Sequence, residues 1–257
     1  MRPFFLVAVV CSTFLLVSST SDARGRKSQS RLGSRDRQAP RSTTVAVREN
    51  QQRTAKDRAQ SFGLPWAGTL RGATQLKVGE RVFIRRPYRA FGTRTTVEYV
   101  RRAISETFEL YPKVHVLSIG DISAEHGGQV SDHHSHQSGR DIDIGLFYKK
   151  QPAGYPNTFI NATESNLDCA ATWTLISKLA GTVGDDGGAQ VIFLDYEVQG
   201  ILFRWAKDHG VSDKRLERIF QYANGRDSGA ALVHHYRNHA HHIHVRFRCA
   251  KADRGCS

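Results

Sequence analysis

The spacing of apolar and polar positions predicts both helices and strands along the chain. A helix capped by Thr95 or Thr96 is predicted through Phe108, because apolar residues recur there every three or four positions. Further helices are predicted at 167–179, from Asp195 to Gly210 and from Ser212 to Ala223, with strands at 114–119 and 190–194. Strands and helices do not alternate regularly, which favours an α+β fold with a small antiparallel sheet and flanking helices.

Two segments alternate strictly between polar and apolar residues. Residues 141–147 have the sequence Asp-Ile-Asp-Ile-Gly-Leu-Phe, and residues 242–248 have the sequence His-Ile-His-Val-Arg-Phe-Arg. Residues two apart in a strand share a face, so each predicted strand has one apolar face and one face with polar side chains. If the two strands lie in one sheet, Asp143 and His244 can meet on its polar face.

Composition divides the chain into three parts. Residues 1–23 combine a basic start, an apolar run over 4–17 and small residues up to Ala23, which predicts a secretory signal peptide. Residues 24–61 form a basic polar arm that is predicted to be disordered, with roughly eleven Lys and Arg against three acidic residues. The arm is either a solvated spacer or a segment attracted to an anionic polymer. The folded domain is expected over 62–257.

Export implies an oxidising compartment, in which disulfides persist. Removal of the signal peptide leaves Cys169, Cys249 and Cys256. Cys249 and Cys256 could close a short loop, and Cys169 could instead pair with either of them. Three is an odd number, so one thiol is left over. We expect the protein in the periplasm or secreted, without a stable membrane anchor once the signal peptide is removed.

Histidines are concentrated in two places. Nine of the twelve lie within 133–136 and 234–244, and the first group is followed by Asp141 and Asp143. Imidazole is the commonest protein metal ligand, and zinc sites combine imidazole nitrogens with carboxylate oxygens. The pattern therefore predicts a zinc site. The motif His-Glu-x-x-His is missing, which excludes the helical metalloproteases that depend on it.

The two histidine groups together resemble a known family. The pattern His133-x-x-His136-Gln-x-Gly-x-Asp141-x-Asp143, followed by His239-x-x-His242-x-His244, is similar to that of the penicillin-insensitive murein endopeptidases. That family belongs to a wider group with lysostaphin, the D-alanyl-D-alanine metallopeptidases and sonic hedgehog. The resemblance extends over the segments Tyr111-Pro112, 119–123 and Gly127-Gly128, and covers about 86–249.

The resemblance implies a role for each matching position. His136, Asp143 and His244 correspond to the three zinc ligands. His242 corresponds to the histidine across the metal that acts as a base or stabilises the transition state, and His239 and His133 correspond to additional site histidines. Asp141 shares a strand face with Asp143 and could either touch the metal or orient a ligand.

The resemblance also implies an activity. In such enzymes a zinc-bound water attacks an amide in the peptide cross-links of peptidoglycan (murein), so the expected cofactor is Zn²⁺ and the expected partner is peptidoglycan. The alternatives are a zinc D,D-carboxypeptidase or dipeptidase of the same group, and a non-catalytic, zinc-stabilised protein that binds the cell wall. Binding to nucleic acid is not expected, because roughly 8 of the 13 net positive charges lie in the arm rather than on the folded domain.

Overall fold

The computed structural model describes residues 60–257. The predicted signal peptide and the basic arm up to residue 59 lie outside this range. Within it, four α-helices and ten strands follow one another. The strands are β1 Ser61–Leu64, β2 Ala67–Leu70, β3 Thr74–Gln75, β4 Val82–Ile84, β5 Phe91–Gly92, β6 Leu117–Ile119, β7 Asp141–Gly145, β8 Ala189–Phe193, β9 Val233–His234 and β10 His242–Phe247. The helices are α1 Arg94–Leu110, α2 Cys169–Ala180, α3 Tyr196–Asp208 and α4 Asp213–Ile219.

Six strands form the main sheet, in the order β4-β6-β7-β10-β8-β9. The three central pairings, β6 with β7, β7 with β10 and β10 with β8, are antiparallel as predicted. The two edge pairings, β4 with β6 and β8 with β9, are parallel. Each parallel pair is connected through helices, α1 in the first case and α3 with α4 in the second, because parallel neighbours need a crossover connection. The fold is α+β, with a sheet that is antiparallel only at its centre.

The helices begin close to the predicted positions, and their caps explain the differences. Thr93 rather than Thr95 or Thr96 caps α1, because its hydroxyl accepts a hydrogen bond of 3.1 Å from the Thr96 backbone N–H. Asp195 caps α3 as predicted, accepting from the backbone N–H of Glu197 at 2.9 Å. The last predicted helix is shorter than expected, because α4 ends at Ile219 and a 3-10 helix follows.

The apolar faces of β7 and β10 lie at the centre of the core. Ile142 is paired with Val245 and Ile144 with Ile243, and all four side chains are fully buried. Helices α1 and α2 pack together and contribute to the same cluster. Burial of this face leaves the opposite, polar face of the two strands for the histidines and carboxylates. No helix within residues 60–257 is both long enough and apolar enough to cross a membrane.

A disulfide joins Cys249 to Cys256, and Cys169 is a half-buried free thiol. The structure thus selects one of the pairings that the sequence left open. The closed loop packs against β1, where the Gly63 backbone N–H donates to the Gly255 carbonyl at 2.7 Å. Residues near the end of the domain are in this way attached to its first hairpin.

His115 illustrates how burial couples this fold to pH. Its Nε2 accepts a hydrogen bond of 2.9 Å from the Tyr148 backbone N–H, and its Nδ1 lies 2.6 Å from the Val116 carbonyl oxygen. A neutral imidazole with its proton on Nδ1 therefore satisfies both contacts, because Nδ1 donates and Nε2 accepts. Burial lowers the pKa of His115 below its ordinary value, although the bond to Val116 opposes this shift.

We expect His115 to make the folded state less stable as the pH falls. Below about pH 6.5 the unfolded chain takes up a proton at this position that the folded protein does not, so stability is full above that pH and falls towards the lower folded pKa. His115→Gln removes this titration. Urea unfolding should show that wild-type protein is more stable than His115→Gln at about pH 8, and that this difference in the free energy of unfolding is smaller at about pH 5. The same difference at both pH values would contradict this.

Candidate metal and catalytic site

The polar faces of β7 and β10 bring together residues that are far apart in the sequence. In the antiparallel register Asp143 lies directly opposite His244, as the alternation predicts. His136 comes from the loop before β7 and has a positive φ of 67°. This backbone conformation is uncommon for residues other than glycine, and it is held by a 3.1 Å hydrogen bond from the His136 N–H to Asp141. The three side chains are almost completely buried.

Three ligand-type atoms converge at this place. His136 Nε2 lies 3.4 Å from Asp143 Oδ1 and 3.3 Å from His244 Nδ1, and the latter two atoms are 3.1 Å apart. Ligands about 2.0–2.1 Å from a tetrahedral zinc ion are separated from each other by about 3.3–3.4 Å. The three atoms therefore have the separations of three corners of a zinc coordination sphere.

The Asp143 carboxylate supports the same interpretation. Its Oδ1 is buried and accepts no hydrogen bond of good geometry from residues 60–257, although two imidazole nitrogens lie within 3.4 Å. A buried carboxylate oxygen without a partner is costly. A cation placed among the three atoms would satisfy this oxygen, so the residues fit a metal ion.

The opposite ring nitrogens of the two histidines are occupied. His136 Nδ1 lies 2.9 Å from the Ile122 carbonyl oxygen, and His244 Nε2 lies 3.1 Å from Asp141 Oδ1. Hydrogen bonds of this kind fix the tautomer of a metal-binding imidazole and leave the other nitrogen free to bind. Asp141 is itself held by Arg246 Nε at 2.7 Å. Of the two roles open to Asp141, the contacts favour orientation of His244 over contact with the metal.

Buried charges compensate one another around His244. Burial lowers the pKa of His244, but its hydrogen bond to Asp141 and the negative charges of Asp141 and Asp143 outweigh that effect and raise the pKa to about 9. Burial likewise raises the pKa of Asp143, whereas the neighbouring His136 and His242 shift it well below its usual range. A metal ion bound there would take the place of a proton on His244 Nδ1, because an imidazole binds a metal through an unprotonated nitrogen.

His242 lies beside these three residues on β10. Its Nε2 is 3.6 Å from Asp143 Oδ1, and its ring stacks on Phe159 with centroids 5.0 Å apart. The His239 ring is 4.6 Å from it. Burial, together with the neighbouring histidines, lowers the pKa of His242 to about 3 although Asp143 opposes the shift. The neutral imidazole has a lone pair with which it can accept a proton or a hydrogen bond.

His133 gives a second possible grouping. The ligand atoms of His133, His136 and Asp143 all lie within 4.8 Å of one another. His133 Nε2, however, is 2.9 Å from Asp121 Oδ2 and 3.9 Å from Asp143 Oδ2. The shorter separations favour His244 over His133 as the third ligand, and place His133 at the edge of the site.

The other histidines differ in their surroundings. His134 is exposed, whereas His241 is half-buried with its Nδ1 2.6 Å from His242 Nδ1. His235 Nδ1 accepts a hydrogen bond from the Tyr196 N–H, and His234 Nε2 contacts the Ala231 carbonyl. The structure therefore assembles His133, His136, His239, His241, His242 and His244, but not His234 or His235.

The site opens into a cleft of about 510 Å³. Among the residues that line it are Trp66, Arg85, Phe159, Phe193 and Tyr236. A larger groove of about 1220 Å³ lies elsewhere, between α1 and the segment 77–82, but it contains no histidine. The smaller cleft is therefore the one in which the candidate metal ligands can meet a substrate.

Sequence reasoning missed several residues of this cleft. Asp121 is fully buried and binds Arg86 at 2.8 Å, Arg89 at 3.1 Å and His133 at 2.9 Å. It lies two residues after β6, in the segment 119–123 that belongs to the family resemblance, but no periodic pattern marks it as a site residue. Phe159 lies in an irregular segment without any periodic pattern.

Comparison with known proteins agrees with this geometry. The family model described as penicillin-insensitive murein endopeptidase matches residues 61–178. The match includes His136 and Asp143, whereas β10 lies beyond it. It confirms the resemblance inferred from the motifs. No curated protein sequence matches the chain.

Proposed function

Because residues 61–178 match the family model of the penicillin-insensitive murein endopeptidases, we propose that this protein is a zinc endopeptidase that hydrolyses the peptide cross-links of peptidoglycan. The proposed zinc ligands are His136 Nε2, Asp143 Oδ1 and His244 Nδ1. Because peptidoglycan lies outside the cytoplasmic membrane, we propose that the protein acts in the periplasm or outside the cell.

The observation that carries this proposal is the triangle of ligand atoms, 3.1–3.4 Å apart, at the bottom of an open cleft. Three protein ligands leave one position of a tetrahedral ion free, which is typical of catalytic rather than structural zinc sites. A zinc ion bound there would supply the Lewis acidity that activates water and polarises an amide carbonyl.

The protein's own residues account for the movement of protons. His242 Nε2 lies 3.6 Å from Asp143 Oδ1, beside the ligand triangle, so this nitrogen is placed to accept a proton from the attacking water. Transfer of that proton to the leaving nitrogen completes hydrolysis of the amide. His239 and Phe159, whose rings lie 4.6 Å and 5.0 Å from His242, hold its ring in position.

The proposal predicts that the purified protein with zinc converts cross-linked muropeptide dimers into monomers. A chelator should stop the reaction, and added zinc should restore it, with the products identified by mass. Loss of a terminal D-alanine alone would instead indicate a carboxypeptidase. Zinc bound without any product would indicate a cell-wall-binding protein.

A further inference from the structure

Three arginines line the cleft, and two of them are paired with carboxylates. Arg86 Nε donates to Asp121 Oδ1 at 2.8 Å, and on the other side of the site Arg246 Nε donates to Asp141 Oδ1 at 2.7 Å. Arg85 also lines the cleft, but among residues 60–257 its guanidinium forms no hydrogen bond and no salt bridge. Its five N–H donors are therefore available to a ligand.

Arg85 is nevertheless held in place. Its backbone N–H donates to the Ile119 carbonyl at 3.0 Å, directly after β4. Its guanidinium carbon lies 4.5 Å from the centroid of the Phe159 ring. A guanidinium above an aromatic ring is held there by cation–π attraction and still has N–H donors for a ligand. The side chain is thus oriented without being neutralised.

The charge of Arg85 lacks compensation from its nearest neighbours. Burial and the adjacent Arg86 lower its pKa, and the charges of Asp121 and Asp143 oppose this shift without forming a salt bridge with it. Arginine still remains protonated at neutral pH. A half-buried cation of this kind becomes more favourable when an anion binds to it, and its planar fork matches a carboxylate.

Arg85 is also close to the proposed reaction. The Phe159 ring on which it stacks is itself stacked on His242, with an angle of 13° between the two planes. One aromatic ring therefore connects Arg85 with the proposed base. An anion bound to Arg85 would lie near the scissile amide, on the side of the cleft formed by Phe159.

We propose that Arg85 determines specificity by binding a free substrate carboxylate next to the scissile amide. This inference rests on the proposed function. When the amine that forms a cross-link sits on a carbon that also bears a carboxylate, a single carbon separates that carboxylate from the scissile nitrogen. A cross-link of this kind presents an anion to Arg85, and amidation of the carboxylate removes it.

The test compares two cross-linked dimers, one with the carboxylates of its diaminopimelate residues free and one with them amidated. Arg85→Gln should lower kcat/KM for the free-carboxylate dimer by roughly 10- to 100-fold, the size expected for a lost hydrogen bond to a charged group. For the wild-type protein, kcat/KM should be lower on the amidated dimer than on the free-carboxylate dimer by a similar factor. For Arg85→Gln, kcat/KM should be the same on both dimers, because the interaction is already absent.

Arg71→Gln is the matched control. The guanidinium carbon of Arg71 lies 4.7 Å from the Phe62 ring centroid, outside the cleft, so the variant removes an equivalent stacked charge. It should leave the preference for free carboxylate unchanged. Arg85→Lys should retain part of the preference, because it keeps the charge but lacks the fork.

Two results would overturn the role of Arg85. One is an equal loss on both dimers, which would indicate a structural contribution, and the other is no loss on either. If wild-type protein cleaves neither dimer, the proposed function fails. The role of Arg85 is then tested by calorimetry, with the two uncleaved dimers as ligands. Wild-type protein should bind the free-carboxylate dimer more tightly than the amidated dimer, and Arg85→Gln should bind both equally.

Discussion

His244→Ala is expected to abolish stoichiometric zinc binding and, with it, hydrolysis. Removal of a partner that merely orients a ligand costs about 10- to 100-fold in metal affinity, so loss of a ligand should cost more than about 100-fold. The variant also leaves the buried Asp143 carboxylate without the imidazole that now lies 3.1 Å away. Metal content after dialysis and a competitive chelator titration would measure the change.

His134→Ala is the control for this variant, because His134 lies in the histidine-rich loop that carries His136 but is exposed. It should bind zinc like the wild type. Asp141→Asn should give an intermediate affinity, about 10- to 100-fold below wild type, because it weakens the bond that orients His244. Undiminished zinc binding by a folded His244→Ala protein would exclude His244 as a ligand and favour the grouping with His133.

His242→Ala should retain zinc and lose turnover. A positioned acid or base typically contributes about 10²- to 10⁴-fold, so we expect kcat to fall by that factor while the zinc content stays the same. KM should change much less, because the missing group acts in the transition state rather than in substrate binding. Steady-state kinetics on a cross-linked dimer, together with metal analysis, separate these effects.

His209→Ala serves as a comparison for His242→Ala, because His209 lies at the end of α3, outside the cleft. Its kinetics should equal those of the wild type. Full activity of His242→Ala would transfer the proton-accepting role to another group, such as His239, whose ring lies 4.6 Å away.

Local periodicity was sufficient to predict the centre of the site. The strands β7 and β10 follow from alternation over a few residues, and their polar faces place Asp143 and His244 in register once the strands pair. The ring of supporting contacts could not be predicted in this way. The left-handed turn at His136 and the bond from His244 to Asp141 depend on tertiary packing, which leaves no repeating pattern in the sequence.

The limits of sequence reasoning are also visible at the sheet edges and in the cleft wall. Parallel pairing of β4 with β6 is decided by how α1 crosses the sheet, and not by the composition of either strand. Phe159 and Arg85 come from irregular segments about seventy residues apart, and only the folded chain brings the ring and the guanidinium together. The cysteine pairing could not be decided from the sequence, because it depends on the distance between the cysteines in the folded chain. The Cα atoms of Cys249 and Cys256 are 5.8 Å apart, which suits a disulfide.

The separation of the proposed ligands along the chain has a consequence for biosynthesis. His136 and His244 are 108 positions apart and meet only when β10 has inserted between β7 and β8. A nascent chain that has emerged only as far as α3 carries two of the ligands but cannot assemble all three. A single proteolytic cut followed by loss of the later fragment has the same effect. Hydrolytic activity that depends on these three proposed ligands therefore requires a chain that extends through β10, and a half-made or truncated chain has none.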